Sequence, residues 1–229
     1  MALEQVSEDI WVVPGEVKLM PGAFLPARAT VIRLEDGLWV HSPVRLQEED
    51  AAQIDTLGAV KTLVAPNNLH HLFIKRWQER WPEAKMVGAR GLKKKRADLE
   101  FDGTLDEDVQ WPAIESLFVG GAPAWGETVF FHSSSQTLVC TDLLFNLGAH
   151  NTRGWLTPWV LRMAGAWHKP MQSRLVRTVV KDRPRAGAAV KRILDWPFER
   201  IIMAHGDVVE ADARQTLERA CHWMLKAAA

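Results

Sequence analysis

Tyrosine is absent from this 229-residue chain, cysteine occurs twice, and the formal net charge is +0. Each shortage excludes something. Cys140 and Cys221 lie far apart in apolar or helical contexts, so no disulfide framework is expected. Free buried thiols suit a reducing compartment, and the expected location is cytoplasmic. The balanced charge leaves no electrostatic footprint for nucleic acid. No run of about 18 apolar residues occurs, so no transmembrane segment is expected. The N-terminus lacks the basic and then apolar pattern of a signal peptide. The glycine fingerprint of dinucleotide-binding folds and the phosphate-binding loop are both missing, which disfavours nucleotide cofactors. What is present is a globular composition, 47% apolar and 24% charged. Tryptophan is heavily used, 11 residues. Many indoles must therefore be buried or line a cleft, each with an N–H in need of a partner.

The length fits one α/β domain over 1–229. Ile10-Trp11-Val12-Val13 and the run 29–34 are β-branched and strand-like. Glu35-Asp36-Gly37 is a tight hairpin turn, and Leu38-Trp39-Val40-His41-Ser42 is the return strand. A helix is expected over 47–57, then a strand over 61–64, a helix over 71–80 and a strand over 85–88, and the last strand–helix–strand unit suggests a parallel crossover. The basic run 93–96 and the acidic run 98–108 read as a solvated loop or surface helix with offsetting charges. Further strands are expected over 114–119, 127–132, 137–141 and 200–204, and helices over 174–180, 187–196 and 210–226. Leu156, Trp159, Val160, Met163 and Trp167 recur at helical spacing. That stripe reads first as core packing, and otherwise as a lid or substrate wall, or as a surface for another protein or lipid.

The chemistry gathers at strand ends. Thr62-Leu63-Val64 stops at Ala65-Pro66-Asn67-Asn68, and His70 and His71 follow in what reads as the first turn of the next helix. His41, Asp142 and His205 also follow apolar runs, at the rim of a sheet rather than inside it. Imidazole and carboxylate groups drawn from separate strand ends can enclose zinc, iron or manganese. A plainer use is also open to each. The histidine pair can satisfy a buried turn, Asp142 can cap a helix, and His205-Gly206 can shape a turn.

The order Asn68-Leu69-His70-His71-Leu72-Phe73, Thr141-Asp142-Leu143, Ala204-His205-Gly206 resembles the metallo-β-lactamase superfamily over about Ile10 to His205. More narrowly, it is similar to an uncharacterised metallo-β-lactamase-like family with a degenerate His-x-His-x-Asp-His motif. The resemblance implies an αββα sandwich, two mixed sheets flanked by helices. In the motif's frame, Pro66 and Asn68 replace the first two histidines, His70 takes the aspartate place and His71 keeps the last histidine. Asp142 and His205 match the later aspartate and final histidine, and His41 stands where the family has a structural aspartate. The lone middle histidine has no clean match, since 121–126 covers that region and His132 lies further on.

The positions for one metal of the family's pair are thus lost, and those for the other survive as His70, His71, Asp142 and His205. The implied cofactor is one divalent metal, zinc or else iron or manganese. The implied function is a mononuclear metal-dependent hydrolase of ester, thioester or phosphoester bonds, with Asp142 and His71 as catalytic residues. Trp155, Trp159 and Trp167 would form an apolar wall for a small-molecule substrate. The alternative is a non-catalytic binding or scaffold protein on the same fold, and a third is an interfacial protein using the Trp-rich segment. A homodimer is left open.

Overall fold

The structure, a computed structural model, describes residues 3–105 and 109–228. Asp106-Glu107-Asp108 of the acidic run lie outside the described residues. The chain opens with four strands, β1 (Glu4–Ser7), β2 (Ile10–Met20), β3 (Ala23–Leu34) and β4 (Gly37–His41), followed by α1 (Glu48–Leu57) and β5 (Val60–Ala65). Next come α2 (Ile74–Arg80), β6 (Lys85–Gly88), α3 (Leu92–Lys95) and β7 (Gly103–Thr104). These seven strands form one sheet in sequence order, antiparallel from β1 to β4 and parallel from β4 to β7. The expected parallel crossover through α2 is therefore present, and α1 makes another between β4 and β5.

The second sheet has four strands, β8 (Ile114–Phe118), β9 (Thr128–His132), β10 (Thr137–Cys140) and β11 (Arg200–Met203), in the order β11-β10-β9-β8. β11 joins β10 in parallel and the other pairs are antiparallel, so both sheets are mixed. Between β10 and β11 run α4 (Thr157–Ala164), α5 (Arg174–Val179) and α6 (Arg183–Leu194), and α7 (Ala213–Ala227) closes the chain. Asp182 caps α6 by accepting from the Arg185 N–H, which starts that helix four residues before the expected 187.

Burial defines the layers. Ile10, Ile32, Trp39 and Val64 of the first sheet meet Phe130, Val139 and Ile202 of the second in one inner core. The outer face of the first sheet packs on Ile54, Ile74 and Trp77 of α1 and α2, and that of the second on Val190, Leu217 and Met224 of α6 and α7. Alternate residues of each strand feed opposite cores, as a strand period of two requires. The result is helix, sheet, sheet, helix: the expected αββα sandwich.

Several elements differ from their sequence expectation. β2 and β3 run on through Pro14 and Pro26, far beyond the short runs expected. Beyond Val12, β2 has no β1 partner, and β3 meets β4 only from Thr30 onward. Both prolines therefore sit in a two-stranded extension, where a missing N–H is tolerated. That hairpin reaches past the sheet. α2 begins at Ile74, so His70 and His71 lie in the preceding turn rather than in the helix. The 156–167 stripe divides: Trp167 packs against the core, whereas α4 ends at a left-handed Gly165 and Trp159 and Met163, with the neighbouring Trp155, are exposed, Trp155 and Trp159 at 81% and 63%.

Candidate metal centre

His70, Asp142 and His205 follow the C-terminal ends of β5, β10 and β11, the rim where open α/β sheets place their ligands. Asn67 shapes the first of these loops. Its buried side-chain Oδ1 accepts the backbone N–H groups of Leu69 and His70, each at 2.8 Å. This is an Asx turn, and it holds the chain out of the helix for several residues. Gly206 shapes the last loop. Its φ is 99°, and a Cβ there would sit 1.9 Å from the Asn146 carbonyl oxygen, so only glycine fits.

Each imidazole is held from behind. His205 Nδ1 donates to the Pro26 carbonyl at 2.7 Å, and Phe145 stacks on the ring at 5.0 Å with an interplanar angle of 9°. His70 Nδ1 lies 2.7 Å from the Ser42 hydroxyl, and Ser42 adopts a left-handed φ of 55° to present it. A carbonyl can only accept, so His205 Nδ1 carries a proton, and in the neutral ring Nε2 is a bare lone pair. That Nε2 lies 3.2 Å from His70 Nε2 and 3.4 Å from Asp142 Oδ1, and His70 Nε2 is 3.4 Å from Asp142 Oδ2.

The site therefore aims acceptors at one point. Two imidazoles and a carboxylate, with ligand atoms all within 4.8 Å of one another, form a donor set that suits zinc, iron or manganese. The hydrogen bonds at both outward Nδ1 atoms are the outer support that metal-ligating histidines use. These residues fit a single divalent cation, and three protein ligands leave room for water or substrate.

Behind Asp142 lies a second buried carboxylate. Asn67 Nδ2 reaches Asp142 Oδ2 at 2.8 Å, Glu127 Oε2 at 2.7 Å and Thr141 Oγ1 at 2.8 Å. The Thr141 N–H donates to Glu127 Oε1 at 2.7 Å, and its hydroxyl donates to Oε2. Burial, with Asp142 nearby, raises Glu127 to about 7. Burial pushes Asp142 the same way, but His70 and His205, which face it through Nε2 and act as donors in their protonated forms when no metal is bound, outweigh it and hold this carboxyl below its usual range. Of the two carboxyl groups, Glu127 is thus the one that binds a proton more readily, and Asp142 is the one held ionised.

His71 is not brought into the cluster. Arg96 Nη1 lies 3.0 Å from its Nδ1 and 3.3 Å from its main-chain oxygen. A guanidinium can only donate, so His71 Nδ1 accepts and Nε2 holds the proton of the neutral ring. Burial, then Lys95 and Arg96, lowers its pKa to about 4. His41 is buried against Trp39 and Phe130 with Nε2 unpartnered, and burial, then His70, keeps its pKa well below normal. His132 bonds Ser135 in its own hairpin.

Where the motif's first two histidines are replaced, the backbone stitches the sheets together. Thr128 N–H donates to the Pro66 carbonyl at 3.0 Å, Asn68 N–H donates to the Trp125 carbonyl at 3.0 Å, and Asn68 Nδ2 donates to the Pro123 carbonyl at 3.1 Å. Sequence reading missed Asn67, Glu127, Thr141 and Ser42. The Asn-Asn step after a strand was the available signal for Asn67. Nothing local marks Glu127, which follows a glycine at the start of β9.

The three ligand candidates stand in the wall of a cavity of about 440 Å³ whose other walls are largely apolar, among them Val17, Leu25, Phe145 and Leu161. The expected wall of Trp155, Trp159 and Trp167 is absent from it. α4 instead offers Val160, Leu161 and Ala164 and turns its indole at Trp159 outward.

This architecture is that of the metallo-β-lactamases. A metallo-β-lactamase from Pontibacter korlensis aligns over 97% of this chain and 98% of its own, with a TM-score of 0.67 at 15% identity. One from Hirschia baltica aligns over 97% and 96%, with a TM-score of 0.68 at 10% identity. The mono-zinc form of FIM-1 from Pseudomonas aeruginosa aligns over 99% and 95%, with a TM-score of 0.65 at 11% identity. Neither models of known protein families nor characterised proteins match the chain by sequence. The chain thus has the metallo-β-lactamase fold, and on that fold a candidate metal triad of His70, Asp142 and His205.

Proposed function

We propose that this chain, one domain over 1–229, is a mononuclear metal-dependent hydrolase of an ester, thioester or phosphoester whose non-reacting part is apolar. The observation that supports this most is the triad itself: three ligand groups from three strand ends, two of them braced at Nδ1, at the wall of an apolar cavity. His70, His205 and Asp142 would hold zinc, or iron or manganese. A divalent cation so held acidifies water and polarises a carbonyl or phosphoryl oxygen.

The protein's own residues do the rest. Asn67 fixes the Asp142 carboxylate through its amide N–H and ties it to Glu127 behind. The apolar walls hold the acyl part and exclude water. His71, expected as a fourth ligand and catalytic residue, serves in this reading as a donor to substrate, because its Nδ1 is engaged by Arg96 while the ring lines the cavity. Buried free thiols at Cys140 and Cys221 fit the cytoplasmic location.

Protein purified without added metal should contain one transition metal per chain by elemental analysis. His205→Ala and Asp142→Ala should lose it with circular dichroism unchanged, and His71→Ala should keep it. Turnover of p-nitrophenyl acyl esters or acyl thioesters should follow the metal. If wild type holds no metal and zinc shifts no melting temperature, the hydrolase reading fails and a non-catalytic binding or scaffold role stands.

A further inference from the structure

Among the described residues, the exposed large hydrophobic side chains come from four segments, and all four border the cavity. Leu19 and Met20 form the tip of the β2–β3 hairpin, and Leu69 and Leu72 lie in the turn that carries His70. Trp155, Trp159 and Met163 stand on and just before α4, and Leu175 opens α5. Leu19, Leu69, Leu72 and Leu175 line the cavity directly. The hairpin tip and α4 are joined. Leu156 N–H donates to the Gly22 carbonyl at 2.9 Å, and Phe24 N–H donates to the Thr157 hydroxyl at 3.0 Å. Gly22, at a φ of 79°, lets the Trp155 indole lie where a Cβ would come within 2.6 Å of its Nε1. These side chains therefore form one collar around the mouth of the site rather than scattered exposures.

The stretch of chain that carries α4 and α5 has charge of one sign. From Leu143 to Lys181 the chain has six basic residues, Arg153, Arg162, Lys169, Arg174, Arg177 and Lys181, and no Asp or Glu, although the whole chain is neutral. Arg162, Lys169, Arg174 and Arg177 are exposed. Arg153 is engaged by Glu16. Arg162 lies on α4, Lys169 follows it, and Arg174 donates to the Met163 carbonyl at 3.3 Å, whereas Arg177 lies over the Trp223 ring of α7 and Lys181 follows α5.

We propose that this collar docks on an anionic phospholipid bilayer, with Trp155, Trp159, Met163 and the hairpin tip at the headgroup–acyl boundary and the cations on the lipid phosphates. Indoles settle at such a boundary because one edge is apolar and the N–H is polar. Lysine and arginine near an anionic leaflet add to that attraction. No helix among the described residues is long and apolar enough to cross a membrane, so the contact is peripheral. The cavity then opens toward the lipid. On the hydrolase reading, which this last point alone rests on, an ester-bearing amphiphile enters from the bilayer.

The test is flotation with vesicles of phosphatidylcholine alone, or of equal parts phosphatidylcholine and phosphatidylserine, at low and high salt. Wild type should float with the anionic vesicles, less so at high salt. Trp155→Ser/Trp159→Ser should abolish flotation with melting temperature unchanged, since both positions are solvent-exposed. Arg162→Gln and Lys169→Gln should each weaken partitioning about five-fold. His205→Ala should float like wild type, so failure of the hydrolase reading stays distinguishable from failure of docking. Absence of flotation at low salt overturns the proposal. So does equal, salt-insensitive binding to neutral vesicles. So does self-association that Trp159→Ser abolishes without any vesicle binding, which would make the collar a homodimer face.

Discussion

Asn67 is the residue on which most of the site's geometry turns. Its oxygen sets the loop that carries His70, and its amide nitrogen sits among Asp142, Glu127 and Thr141. Asn67→Ala would strip a donor from two buried carboxyl groups. Loss of a partner to a buried charge costs about 3–5 kcal/mol, so urea denaturation should show a fall of that order. Metal affinity, read by zinc titration, should drop about 10–100-fold, the range for loss of outer support. His71 supplies a pH test. Its folded pKa of about 4 lies below the ordinary value, so between about pH 6.5 and 4 the unfolded chain binds more protons. Its contribution is complete above that window and is lost as pH falls through it. In chelator, wild-type stability should carry an acid-side loss on the order of 2 kcal/mol that His71→Gln lacks. Glu127, raised rather than lowered, acts in the opposite sense in both proteins, so the difference between them isolates His71.

At the scale of elements, the loops that follow strands decide whether ligands meet. The apolar runs of β5, β10 and β11 are plain in the sequence, and so are the polar residues just beyond them. The start of α2 is not: 71–80 has helical periodicity throughout, but the Asx turn at Asn67 competes for the N–H groups that a helix would leave free. The extension of β2 and β3 was hidden for a related reason. Pro-Gly at 14–15 reads as a turn, and only the absence of a neighbouring strand on one side makes Pro14 harmless there. The loop after β11 gives a direct check. Gly206→Ala would drive a Cβ into the Asn146 carbonyl and should lower stability by more than about 1–3 kcal/mol, the usual scale of backbone strain. The accompanying shift of His205 should show as weakened zinc binding in titration calorimetry.

At the scale of the whole molecule, the triad draws His70 from beyond the first sheet and Asp142 and His205 from beyond the second. The inner core that sets the spacing of the sheets thus sets the spacing of the ligands. Trp39, nearly fully buried between them, packs edge-on to Phe130 at 5.1 Å. Trp39→Ala should cost about 3–5 kcal/mol by the usual cavity penalty, and should weaken zinc binding although Trp39 touches no ligand. A Trp39→Ala variant that loses stability but, still folded, binds zinc with wild-type affinity would contradict this coupling through the core.

The sequence by itself determined most of the strands and helices and the candidate ligand types, while the sandwich layering was implied only by the resemblance to a known superfamily. Alternating and continuous apolar runs specify buried strands locally, and His, Asp and Asn at strand ends are visible without any contact map. It also showed the tryptophan stripe, whose spacing says only that a helix has two faces. Only the tertiary structure decided which face of α4 is buried, because that depends on the hairpin tip arriving from more than a hundred residues earlier, where Phe24 meets Thr157. Only it decided that His71 turns to Arg96 while His70 turns to Asp142 and His205. Adjacent side chains leave a turn in different directions, and their choice is made by whichever charge or lone pair the rest of the fold places within reach.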